Sequence, residues 1–179
     1  MRAILAGIVG CGLALGQQTK TEVTKATTKL DDSKSNSADV PEVYAVSGQL
    51  KRVVVLRFKY EADLLAGIER VVKEQKIANG VILSGVGSVR NYHVHSVSNR
   101  TFPSKNLYVK DPESPADIVS MNGYIIDGKV HCHMTMTNSE KAFGGHLEPN
   151  TNVFTFAILT IGVFDEDLDL KRADDKTYR

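Results

Sequence analysis

Apolar residues recur along this chain at two different periods, and the switches between them mark out its elements. Val53-Val54-Val55-Leu56, inside Leu50 to Lys59, is the unbroken apolar run of a strand covered on both faces. From Ala62 to Gln75 the spacing turns helical. Leu64, Leu65, Ile68, Val71 and Val72 make one face, with Glu69, Arg70, Lys73 and Glu74 opposite. Asp63 stands where an acidic residue suits the positive end of the helix dipole. Gly80 closes this unit and Val81-Ile82-Leu83 begins a second buried strand. Gly85-Val86-Gly87-Ser88-Val89 follows without the full dinucleotide fingerprint, which predicts a tight turn or bulge rather than a phosphate cradle.

Alternation returns at Arg90 to Ser98, with His93 and His95 on one face and Tyr92 and Val94 on the other. Thr101 to Pro115 contains Pro103, Pro112 and Pro115 and reads as an irregular excursion around a short strand at Leu107 to Val109. Ile118 to Ile126 and Lys129 to Thr137 flank Asp127-Gly128, a dipeptide suited to a type I′ turn, and so form a hairpin. Asn138 to Asn150 reads as a loop, Val153 to Phe164 as a long apolar strand, and the charged tail after Asp165 as solvated. One main helix among strands predicts an α+β fold with a largely antiparallel β-sheet.

The N-terminal region follows neither period. Met1-Arg2 is a minimal positive start, Ala3 to Leu15 carries no charge, and Ala14-Leu15-Gly16 offers small residues before Gln17. This predicts a signal peptide over 1–16, too short to span a bilayer, and hence a secreted or periplasmic protein. Ile8-Val9-Gly10-Cys11 also resembles a lipoprotein box, with Cys11 as a lipid anchor; a buried N-terminal helix is the structural alternative. Residues 17–42 are rich in Thr, Lys, Ser and Asp and predict a disordered linker before a domain at 43–170 and a solvated tail at 171–179. With 42% hydrophobic residues, 24% charged residues and a net charge of +1, the chain is globular in composition and lacks the excess of a strongly basic nucleic-acid surface.

The chemistry gathers at histidine. His131 and His133 flank Cys132 on a predicted strand, so both imidazoles share a face, ~6.6 Å apart at the backbone. Cys132 then faces the other side with Val130, Met134 and Met136, as a small buried hydrophobe. His146, behind Gly144-Gly145, completes a three-nitrogen face if the loop folds back over the sheet. Three imidazoles suit a divalent metal ion, zinc first, with iron or nickel as alternatives, and leave a coordination position open. Glu148 is a fourth ligand, a general base, or a bystander; His93 and His95 line a pocket or a surface face.

From Arg52 to about Asp165 the chain resembles the PPC domain, conserved in plants and prokaryotes. The resemblance rests on Ser84-Gly85-Val86-Gly87-Ser88-Val89, on Ile118-Val119-Ser120-Met121-Asn122-Gly123, and on His131-Cys132-His133 followed by Gly144-Gly145-His146-Leu147. It implies a sheet flanked by helices, a homotrimer, and a metal on the three histidines. The fold is also similar to that of acetolactate decarboxylase, whose zinc is held by a His-x-His pair and a later histidine. Plant members bind DNA through attached AT-hooks. This chain has no AT-hook and no basic tract, and an export signal sits badly with a transcription factor. Three readings follow. The first is an exported metal-dependent enzyme acting on a small carbonyl or hydroxy-acid compound, with His93, His95 and Glu148 as candidates for proton transfer. The second is a DNA-binding PPC protein, cytoplasmic if the start is misassigned. The third is a non-catalytic trimeric binding module.

Overall fold

The computed structural model describes residues 19–26, 38 and 40–174. The predicted signal peptide, Cys11 and the end of the tail lie outside the described residues. Among the described residues, eight strands and one α-helix follow in the order β1 (Thr21–Ala26), β2 (Leu50–Phe58), α1 (Leu64–Glu74), β3 (Gly80–Val97), β4 (Lys105–Asp111), β5 (Ala116–Ile126), β6 (Lys129–Thr137), β7 (Ala142–Leu147) and β8 (Asn152–Phe164), with a short 3-10 turn at Lys171–Asp174. Every strand pairing is antiparallel. The protein is α+β and mostly β, and among the described residues one α-helix stands where the family resemblance implied several.

β3 organises the sheet. Its first half lies between β5 and β8, and its second half between β4 and β7. Because β7 pairs with both β6 and β3, the strands β3, β5, β6 and β7 close into a ring. The glycines at 85 and 87 do not end β3, as a tight turn would; the bulge is what forms. The register against β8 slips between Gly87 and Val89, and a Cβ on Gly87 would lie 2.4 Å from the Phe156 carbonyl oxygen. Glycine is what lets β3 and β8 approach there.

The helix follows its pattern. Leu64 and Ile68 are fully buried and Val72 nearly so, each worth about 1.5–3 kcal/mol when removed from water. Asp63 is the N-cap rather than a first-turn residue, and its carboxylate accepts from the Ala66 backbone N–H at 3.0 Å. The Asp127-Gly128 hairpin forms as expected, with Ile126 opposite Lys129.

Four expectations change. Thr21–Ala26, inside the predicted linker, is a strand along β4, its six side chains exposed. Asn138 to Asn150 is not all loop, since β7 runs through it. Leu168 and Leu170 are buried rather than solvated, and Asn79 Nδ2 donates to the Leu168 carbonyl at 2.6 Å. The β2 run is not covered on both faces: Leu56 is buried while Val53 and Val55 are 56% and 65% exposed. No helix among the described residues is long and apolar enough to cross a membrane.

Candidate metal centre

Alternation along β6 places His131 and His133 outward and buries Cys132, Met134 and Met136 beneath them. His146 arrives on β7, directly opposite His133 in the β6 register and opposite His95 in the β3 register. Such an arrangement requires three backbones to lie close together, and the glycine pair permits it. A Cβ on Gly144 would sit 2.0 Å from the Met134 carbonyl oxygen, and one on Gly145 would sit 2.3 Å from that of His95. Gly144-Gly145 therefore acts through close approach within a strand, not through a turn.

The three rings meet at one point. His131 and His133 stack with centroids 5.2 Å apart, and His146 stands nearly perpendicular to both, at 4.8 and 5.1 Å. Nε2 of His131 and Nε2 of His133 are 3.2 Å apart. One nitrogen from each of the three rings falls within 4.8 Å of the others. A tetrahedral ion with Zn–N bonds of ~2.0–2.1 Å needs nitrogens roughly 3.3 Å apart. The His131–His133 pair meets that spacing, and His146 has to draw in by up to about 1.5 Å.

Burial and neighbouring charge favour the ligand form of His146 and His133. Burial, then the neighbouring His95, His131 and His133, pushes the His146 imidazolium down to about 4. Burial, then His131 and His95, lowers that of His133. A neutral imidazole offers a lone pair, which is what a borderline divalent metal takes. Burial pushes the Cys132 thiol up to about 12, so no thiolate is available from the opposite face.

Of the remaining candidates, His95 and Glu148 are brought to the cluster. The His95 ring stacks on His146 at 4.6 Å and lies 4.8 Å from Tyr108. His95 Nδ1 is 2.6 Å from Glu148 Oε1, with both side chains largely buried. An ionised carboxylate only accepts, so Nδ1 is the donor, and in the neutral ring the lone pair then lies on Nε2. His93 sits one step further out; its Nδ1 is 3.0 Å from the Pro149 carbonyl oxygen and its ring is 6.2 Å from Tyr108.

The row across the sheet thus reads Tyr108, His95, His146, His133, Asn122, with Tyr124 opposite His131. Asn122 and Tyr124 had a readable signal, because counting back from Asp127-Gly128 pairs them with His133 and His131. Tyr108 had none, since its partner strand lies outside the hairpin.

A mostly antiparallel α+β domain carrying three converging imidazoles is the class these observations define. The chain belongs to the Plants and Prokaryotes Conserved (PCC) domain family, also written PPC, with residues 45–165 matched. It is similar in fold to a metal-containing protein from Archaeoglobus fulgidus (TM-score 0.58, 21% identity, 68% of this chain and 86% of that one). A plant- and prokaryote-conserved (PPC) protein from Pyrococcus horikoshii is comparably close (TM-score 0.56, 24% identity, 71% and 89% covered). A Ralstonia eutropha protein, provisionally described as DNA-binding, matches at TM-score 0.51 and 18% identity, with 64% and 80% covered. At the sequence level the chain is 26% identical over 111 residues, 62% of its length, to a bifunctional protein GlmU of a Synechococcus strain. The chain spans only 17% of that relative's length.

Proposed function

We propose that this is an exported metal-binding PPC-domain protein in which His131, His133 and His146 hold a divalent ion, with zinc as the first choice and iron or nickel as alternatives. The observation that carries the reading is the 3.2 Å approach of the His131 and His133 Nε2 atoms with a third ring set perpendicular to both. Two imidazoles so close either share a proton or share an ion, and the third ring favours the ion.

With three protein ligands the centre has room for an oxygen ligand, which supports action on a small carbonyl or hydroxy-acid compound. When bound, the ion supplies a Lewis acid. The chain's own residues supply orientation and a proton acceptor. Glu148 fixes the His95 tautomer, and the free His95 Nε2 is the proposed general base, with Glu148 as its positioning partner. His93, tied to Pro149, is assigned substrate contact rather than proton transfer.

Self-association completes the proposal. Val53 and Val55 on β2, Phe154, Phe156 and Ile158 on β8, and Val86 on β3 are all exposed. Cross-strand register sets Ile158 beside Val86, and Val55 beside Thr160, on one sheet face. An apolar face of this kind supports a homotrimer that covers it.

The test is metal analysis of purified protein beside a His131→Ala, His133→Ala double variant. About one equivalent in the native chain and a loss of more than tenfold in the variant is expected. Equal metal in both contradicts the reading.

A further inference from the structure

Beside His131 the sheet carries a hollow of about 700 Å³, a volume within the range of small-molecule sites. Its floor is Tyr124, Ile126 and His131; its walls come from Tyr44–Gly48 on one side and from Leu168, Leu170 and Ala173 on the other. No Lys, Arg, Asp or Glu lines it. A hollow of similar size between α1 and β2 touches no histidine.

The walls are tied down. The Asp165 N–H donates to the Gln49 carbonyl at 3.0 Å, Asn79 holds the Leu168 carbonyl, and Lys51 reaches Glu166 at 2.6 Å. The Arg172 guanidinium lies over the Tyr44 ring, 4.6 Å from its centroid, joining the two walls. The absent side chain of Gly48 brings its backbone against Leu168, where a Cβ would be 3.0 Å away.

We infer that this hollow seats the body of a monoanionic ligand whose oxygen head reaches the three histidines, the body being uncharged and either aromatic or branched aliphatic. The inference rests on the metal reading above and names the ligand class for that site. Three neutral imidazoles leave the charge of a divalent ion uncompensated, and Glu148, the carboxylate beside the cluster, is engaged by His95. An anionic oxygen head supplies that compensation. The uncharged lining selects against a second charge on the body, because such a charge loses its hydration there while the Arg172 guanidinium at the edge is engaged on the Tyr44 ring. Nucleotides and dicarboxylates are thereby excluded in favour of apolar monoacids and their hydroxamate analogues.

The experiment uses the full chain loaded with zinc, with zinc content measured beside every titration. Calorimetry compares acetohydroxamate, benzohydroxamate and 4-carboxybenzohydroxamate. The expected result is benzohydroxamate tighter than acetohydroxamate by about tenfold or more, as burial of a phenyl ring provides, with the added carboxylate removing that gain. Val46→Trp, which fills the hollow from an exposed wall position, is expected to abolish the preference for the larger body while leaving acetohydroxamate affinity and zinc content unchanged. Equal affinity for the two bodies in zinc-loaded native protein, or a preference that survives Val46→Trp, overturns the inference and leaves the metal reading standing. A chain that takes up no zinc overturns both, and the zinc measurement tells these outcomes apart.

Discussion

At His146, burial and three neighbouring imidazoles act in the same direction, and the ring resists protonation until about pH 4. In the unfolded chain the same ring titrates near 6.5. Between those values the unfolded state binds the extra proton, so stability is greatest above about pH 6.5 and is lost progressively as pH falls toward 4. The metal-free protein is therefore expected to melt at lower temperature at pH 5 than at pH 7.5, and His146→Ala is expected to reduce that difference. A pH dependence unchanged in the variant contradicts this assignment. The facing of the candidate ligands was legible at this scale. Period-two alternation alone put His131 and His133 on one face and Cys132 on the other. The His95–Glu148 contact was not legible, because two residues 53 positions apart meet only once β7 has found β3.

Among the elements, β7 determines whether the site exists. Gly144-Gly145 looked like loop punctuation, since glycine marks turns more often than it marks crowding in sheets. Its use here is to let one strand lie against two others. Gly144→Ala sets a methyl group against the Met134 carbonyl, so it is expected to cost roughly 1–3 kcal/mol and to weaken metal uptake by pushing His146 away. Urea denaturation and zinc content read the two effects; a variant as stable and as metal-rich as the native chain contradicts the role given to close approach. Other misreadings have the same kind of cause. Val53 to Leu56 is apolar on both faces, but only the Leu56 side meets the core of its own chain. Thr21–Ala26 carries no apolar signal strong enough to predict, because backbone pairing to β4 holds it.

For the molecule as a whole, the open face of β2, β3 and β8 is the feature a single chain leaves unexplained. A domain whose composition is ordinary overall exposes Val53, Val55, Phe154 and Phe156 together, and copies of the same chain are proposed to cover them. Val55→Glu with Phe156→Glu is expected to shift the sedimenting species from trimer to monomer, with the fold retained by circular dichroism. A monomeric native chain, or a double variant that still sediments as a trimer, contradicts it. The net charge of +1 gives the duplex-DNA reading no overall excess of positive charge to draw on.

The metal reading and the ligand class inferred from it both depend on an ion held by three rings. The most direct measurement is an anomalous-difference diffraction map recorded on either side of the zinc absorption edge. The account predicts one peak within ~2.0–2.3 Å of a nitrogen from each of His131, His133 and His146. A map with no peak between these rings, or a peak held elsewhere with His146 turned away, would contradict it.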